Sequence, residues 1–216
     1  YARKKGVDVM TTPGANSNAV AEEVVAMMLA DARHVINADA SIRRGEWEKK
    51  KFMGRELAGK TIGIVGLGNI GRLVAKRLSG FDVKMLGYDP LISSERAKEI
   101  GVELADLKTL FSASDYVTLH LPENNETRGL VGEALLAVMK KGATIVNCAR
   151  AGVVDEAALR KMKPEKNLRF LNDVYPKDEP GRKSVEDIAD IMLPHLGAST
   201  REANFNAAKR AAEELI

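Results

Sequence analysis

The stretch Gly66-Leu67-Gly68-Asn69-Ile70-Gly71 follows a largely β-branched run at 61–65 and precedes a helical pattern. Each glycine meets a separate physical demand at such a junction. One permits a tight turn, one lets a phosphate approach the backbone, and one lets helix and strand pack closely. The N–H groups that open the helix are then available to an anion. Asp89 ends the next strand pattern, eighteen residues past Gly71. A carboxylate there accepts hydrogen bonds from ribose hydroxyls and repels a 2′-phosphate. Two unit charges about 4 Å apart at an effective dielectric near 20 interact by roughly 4 kcal/mol, so even a heavily screened fraction discriminates. The pattern therefore predicts a dinucleotide site that takes NAD over NADP. Two plainer readings compete: an ordinary glycine-rich turn, and at Asp89-Pro90 a turn after a strand.

Composition narrows the remaining possibilities. The 216 residues, 45% hydrophobic, suffice for one substantial core. The net charge of +3 comes from 33 basic and 30 acidic residues mixed along the chain, which forms no basic stripe for nucleic acid. No apolar run reaches the roughly 20 residues a membrane helix needs, and no signal-peptide pattern opens the chain. A single cysteine, Cys148, allows no internal disulfide and suits a reducing cytoplasm. Three histidines without paired cysteines or a His-xxx-His spacing give no metal site.

Strand and helix patterns alternate along most of the chain. The spacing predicts a strand at 6–10, a helix from Ser17 to about Ala40, and a polar, basic arm at 41–55. Strands are expected at 61–65, 83–88, 116–120, 143–147, 168–172 and 188–193, with helices at 94–100, 107–112, 133–139 and 155–161. Such alternation implies an α/β fold, a doubly wound parallel sheet covered on both faces. Ligands of such sheets sit beyond the carboxyl ends of the strands.

Three of those strand ends carry unusual polar residues: Asn147-Cys148-Ala149-Arg150, Asn172-Asp173, and Pro194-His195-Leu196-Gly197-Ala198-Ser199-Thr200. Arg150 can hold a carboxylate by a two-pronged, charge-assisted hydrogen bond. Its structural alternative is an ion pair with Asp155 or Glu156. His195, between a proline and a Gly-Ala-Ser-Thr turn, is placed to expose its ring. Cys148 has no base nearby in sequence and reads as a small apolar wall.

Taken together these motifs resemble the D-isomer-specific 2-hydroxyacid dehydrogenases over nearly the whole chain. The most specific pieces are the run 59–71, Asn147-Cys148-Ala149-Arg150, and Pro194-His195-Leu196-Gly197-Ala198-Ser199-Thr200. The last two look more like the phosphoglycerate branch than the lactate or glyoxylate branches. The resemblance implies a Rossmann-type NAD-binding domain at 16–198, with most of the substrate domain absent. Residues 1–15 would end that domain and its crossover, and 199–216 would start the helix returning to it. It also implies hydride transfer between NAD and a small 2-hydroxy acid. His195 would move the hydroxyl proton, and Arg150 would anchor the substrate carboxylate. Gly66, Gly68, Asn69, Ile70, Gly71 and Asp89 would meet the adenosine and pyrophosphate. Leu121, Cys148, Ala149, Arg150, Asp173, His195, Gly197 and Ala198 would surround the nicotinamide end, with Asp173 on the carboxamide. The arm Arg43-Arg44-Gly45-Glu46-Trp47, with Phe52 and Gly54, is similar to one that crosses between subunits, which implies a homodimer.

The sequence departs from the family pattern at the carboxylate that holds the histidine. Asp173-Val174-Tyr175-Pro176-Lys177-Asp178-Glu179-Pro180 is one residue longer than usual. Counting from Asp173 gives Asp178, whereas the Glu-Pro pair gives Glu179, and Glu179 is the expected partner of His195. Two further readings share these residues: a glyoxylate or hydroxypyruvate reductase, and a non-enzymatic NAD-sensing scaffold on the same fold.

Overall fold

The computed structural model describes residues 2–215. The chain runs through α1 (Ser17–Ala32), α2 (Val35–Arg43), β1 (Thr61–Val65), α3 (Asn69–Leu78) and β2 (Lys84–Tyr88). It continues through α4 (Ser94–Glu99), β3 (Glu103–Leu104), α5 (Leu107–Ala113), β4 (Tyr116–Leu119), α6 (Glu133–Val138) and β5 (Thr144–Asn147). The last elements are α7 (Glu156–Lys166), β6 (Arg169–Asn172), β7 (Ile191–Met192) and α8 (Arg201–Glu214). All seven strands are parallel, in the order β3-β2-β1-β4-β5-β6-β7. The winding reverses between β1 and β4, and ligands of such sheets bind beyond the carboxyl ends of the strands at a reversal of this kind.

Alternate residues of each strand serve opposite faces. Ile62 and Ile64 of β1 join Val24, Met28, Val74 and Leu78 in a core beneath α1 and α3. Val65 joins Leu110, Phe111, Leu136 and Leu159 in a second core beneath α5, α6 and α7. Most of these side chains in both cores are fully buried, so the sheet is the middle of three layers.

Two expectations fail at the start of the chain. Residues 6–10 form no strand, and Val9 stays 72% exposed. The long helix predicted to Ala40 instead breaks after Ala32, with His34 in the left-handed region at φ 53° before α2 resumes. The apolar spacing continues past the break, but burial does not. Val35, Ile36 and Ile42 are about half exposed. What stops α1 is its last turn, where Asp31 is buried at the amino edge of the sheet. Arg55 donates to Asp31 at 2.9 Å, Arg169 pairs with its other oxygen, and the Thr144 hydroxyl donates at 3.2 Å. Helix α1 is thus fastened to β5 and β6 at a fixed point.

The predicted strand at 188–193 shrinks to Ile191–Met192, because residues before it form a turned segment that buries Val185 and Ile188. Helix α7 runs longer than expected, to Lys166, with Pro164 inside it.

Asp31→Ala should cost about 3 kcal/mol in urea unfolding, the low end for a broken buried ion pair because Arg55 and Arg169 reach solvent. A loss below about 1 kcal/mol would show that the pairing does not fasten α1.

Candidate active site

The turn between β1 and α3 is shaped by its glycines in three different ways. Gly66 has φ +94°, and a Cβ there would lie 2.6 Å from the carbonyl oxygen of His120, the residue after β4. Gly71 presses on the strand end so closely that any Cβ would overlap the Gly66 carbonyl. Gly68 has open space where its Cβ would be, so nothing in the chain demands glycine at that position. That vacancy suits a group approaching the backbone from outside. Helices α4, α5, α7 and α8 are capped by the side chains of Ser93, Asp106, Asp155 and Thr200, each of which accepts a backbone N–H of its helix's first turn. Helix α3 has Gly68 at its N-cap and no side-chain cap. Its first N–H groups keep their donors for an anion.

Asp89 stands beside this turn, held at both oxygens. The Leu67 N–H donates to Oδ2 at 2.8 Å and the Leu91 N–H to Oδ1 at 2.9 Å. Each carboxylate oxygen retains a lone pair for a hydroxyl. The turn reading and the ligand reading of Asp89 are therefore compatible in one geometry.

The loops after β5, β6 and β7 assemble a second cluster at the same edge. Asn147 shapes the first: its amide donates to the Arg150 carbonyl at 3.1 Å, and its Oδ1 accepts from the Ala149 N–H at 3.1 Å. Arg150 is exposed, and its guanidinium donates to the Ala149 carbonyl at 2.6 Å. Neither acid once considered for it is engaged there, since Asp155 caps α7 and Glu156 accepts from Ser184. Among the described residues no carboxylate pairs with Arg150. Cys148 is buried with its sulfur 3.6 Å from that of Met27. Burial first, then the charges of Glu23 and Asp173, push its thiol up, which leaves it a neutral wall.

After β6, Asp173 is 1% exposed and accepts from the Leu196 N–H at 2.8 Å and the Gly197 N–H at 3.0 Å. The carboxylate thereby grips the loop that carries His195, which sits at φ 56° in the left-handed region. The His195 side chain is 43% exposed, and its Nδ1 lies 2.6 Å from Asp178 Oδ2. This corrects the expectation that Glu179 holds the ring. Lys183 reaches back to the carbonyls of Lys177 and Glu179 and fixes the loop, and the Glu179 carboxylate faces Lys177 at 3.9 Å. The extra residue is thus absorbed between Asp178 and Pro180.

A D-isomer specific 2-hydroxyacid dehydrogenase NAD-binding domain matches residues 25–197. The chain belongs to this family. It is 44% identical over 218 residues to D-3-phosphoglycerate dehydrogenase of Archaeoglobus fulgidus, covering 100% of this chain and 41% of that protein. The Homo sapiens D-3-phosphoglycerate dehydrogenase is 42% identical over 217 residues, again 100% of this chain and 41% of that one. The chain thus spans about two fifths of these relatives. Among solved structures, apo D-lactate dehydrogenase from Escherichia coli superposes with TM-score 0.89 at 31% identity, over 99% of this chain and 68% of that one. D-Lactate dehydrogenase from Aquifex aeolicus, complexed with NAD and lactic acid, superposes with TM-score 0.87 at 26% identity, over 100% and 70%.

As an NAD-binding domain of the 2-hydroxyacid dehydrogenases, the chain fits its coenzyme at the open Gly68, the uncapped α3 and the anchored Asp89. Leu121 lies against Gly66, within 3.1 Å of where its Cβ would be. The opposite, amino edge of the sheet holds a cavity of about 350 Å³. Its walls include Asp31, Arg55, Arg169 and Asp190, charges already engaged with one another, so it is no rival site. No group of His, Cys, Asp and Glu among the described residues could hold a metal ion.

Two site residues escaped the sequence reading. Glu23 stands on the apolar stripe of α1, between Val20 and Met27, and burial followed by the Asp173 charge pushes its carboxyl up to about 8. A carboxylate at a core-facing helical position was the signal available for it. His120 follows β4, and its Nε2 is 2.9 Å from the Thr118 hydroxyl while its buried Nδ1 has no hydrogen-bond partner. Burial lowers its pKa to about 3, so the folded ring is neutral beside the glycine turn.

His120 has a stability signature with a definite sign. Its folded pKa lies below the unfolded value of 6.5, so the unfolded chain takes up the proton first as pH falls. Lowering the pH from 6.5 to about 5 should therefore cost the native chain on the order of 1 kcal/mol relative to His120→Gln. Parallel unfolding curves for the two proteins across that window would contradict a buried neutral ring.

Proposed function

We propose that the chain supplies the coenzyme half and the proton-transfer group of an NAD-dependent D-3-phosphoglycerate dehydrogenase. The product would be 3-phosphohydroxypyruvate, on the route to serine. The observation that carries this reading is the His195–Asp178 pair at 2.6 Å on the strand edge that also bears the glycine turn and the exposed Arg150. The phosphoglycerate assignment among 2-hydroxy acids is supported by the relatives' names at 42–44% identity.

Each residue has a task in the oxidation. Bound NAD supplies the hydride acceptor for C2 of the hydroxy acid. Arg150 holds the substrate carboxylate by two parallel N–H bonds and so fixes which face of C2 is presented. His195 takes the hydroxyl proton at Nε2 as the carbonyl forms, and Asp178 on Nδ1 stabilises the resulting imidazolium. Asp173 keeps the histidine loop in register through the Leu196 and Gly197 amides. Asp89 selects against a 2′-phosphate.

The surface supports a two-domain, dimeric enzyme. Val7, Val9, Met10 and Phe205 leave their apolar side chains exposed near the two ends of the chain. In this reading residues 1–15 and 199–216 lead to the substrate-binding part. Trp47 is 83% exposed on the arm and lines one surface hollow with Phe52 and the half-exposed Ile42 of α2. A second copy covers that patch. A cytoplasmic setting agrees with one buried, unpaired cysteine.

Residues 1–216 alone should bind NADH yet oxidise 3-phosphoglycerate poorly, and brisk turnover by them would contradict the reading that substrate is held mainly by segments outside them. In an enzyme extended with the relatives' substrate segments, Asp178→Asn should lower kcat by about 10²-fold or more. Glu179→Gln should stay within about twofold of the parent, and the reverse ranking would return the partner role to Glu179. Hydroxypyruvate reduction, assayed alongside, decides between phosphoglycerate dehydrogenase and hydroxypyruvate reductase. Asp89→Ser should shrink the preference for NAD over NADP by about tenfold or more.

A further inference from the structure

Glu23 lies outside the roles described above. It projects from α1 toward the end of β6, and its Oε2 is buried without a hydrogen-bond donor. An ideal Cβ on Gly197 would sit 3.1 Å from Glu23 Oε2 and 3.5 Å from Asp173 Oδ2. The two carboxyl groups therefore converge on one point beneath the histidine loop. Asp173 already accepts from Leu196 and Gly197 with its two oxygens, which is the work of a carboxylate. A second ionised carboxylate beside it, half-buried and with no donor of its own, would be repelled. A proton held between the pair removes that repulsion and satisfies the orphaned oxygen.

The geometry points to Glu23 as a positioning residue that remains a neutral acid and donates its O–H to Asp173, locking the loop on which His195 rides. The other titratable groups facing this pair are the Cys148 thiol and the Tyr175 hydroxyl, both pushed up by burial and both neutral. Glycine at 197 is the companion requirement, since a side chain there would press on both carboxyl groups and on Val20. For catalysis the inference rests on the dehydrogenase reading, but the shared proton does not.

The wild-type chain can be tested without any variant by following the Glu23 and Asp173 carboxyl carbons by ¹³C NMR as pH rises. The Glu23 carbon should keep the shift of a protonated acid through neutrality and titrate near 8. Titration of Glu23 in the ordinary carboxylate range, near 4.5, would overturn the inference. The folded pKa is raised, so the native state holds the extra proton between pH 4.5 and about 8 and loses stability as pH rises through that window. The Tm of wild type should accordingly fall relative to that of Glu23→Gln across it. Glu23→Gln offers Asp173 an N–H in place of the O–H and should keep the Leu196 and Gly197 amide shifts. Glu23→Ala should move both, and in the extended enzyme should lower kcat roughly tenfold with little change in KM. Equal loop shifts for the Gln and Ala variants would also overturn it. NADH binding measured on the same samples separates the two claims. A chain that titrates as expected but binds no NADH retains the proton pair and loses the dehydrogenase reading. A chain that binds NADH while Glu23 titrates near 4.5 does the opposite.

Discussion

The contact between α3 and the end of β1 sets the position of everything at the carboxyl edge. Gly71 rests against the Gly66 carbonyl with no room for a methyl group, and Gly66 rests against the carbonyl of His120. A side chain at either place would push the helix away from the sheet. With both absent, the N-terminus of α3, which has no side-chain cap, starts at the carboxyl end of β1, where the winding reverses toward β4. Asp89, tied to the Leu67 amide, is carried along by the same turn. Helix dipole, free N–H groups and the Asp89 carboxylate thus come from one packing decision.

The reacting end is organised by a different device, side-chain hydrogen bonds to loop backbones. Asn147 turns the chain toward Arg150, Asn172 donates to the Val174 carbonyl at 2.7 Å, and Asp173 grips two consecutive amides beyond His195. These groups are buried, whereas Arg150, Asp178 and His195 are exposed. Buried polar anchors below thus hold in place the loops that carry the exposed polar groups above. The charged cluster around Asp31 serves the opposite edge in a purely structural way, fixing the end of α1 and so the ledge on which Glu23 stands.

Much of this was legible because the residues act locally. The glycine turn, the strand after it and Asp89 are set by sterics within about 30 residues. Strands β1, β2, β4, β5 and β6 were visible because buried parallel strands read as continuous apolar runs, whereas the two-residue edge strand β3, only partly buried, carries no such run. Features set by distant partners were not visible. The break at His34 adjoins Asp31, whose partners Arg55 and Arg169 lie far from it in sequence. The exposed faces of α2 carry the same spacing as a core helix, so periodicity alone extended α1 too far. The Glu-Pro pair pointed to Glu179, but the loop that Lys183 ties to the Lys177 and Glu179 carbonyls brings Asp178 to His195, the position that the count from Asp173 gave. Glu23 was hidden because only the folded chain brings α1 and Asp173 together.

A crystal structure of the chain with NADH bears most directly on the central claim, that coenzyme and proton-transfer group meet on one edge. Pyrophosphate oxygens are expected about 3 Å from the N–H groups that open α3, the adenosine ribose on Asp89, and the nicotinamide between Arg150 and the His195 ring. Coenzyme bound at the amino edge beside Arg55 and Arg169, or a nicotinamide pointing away from His195, would contradict it.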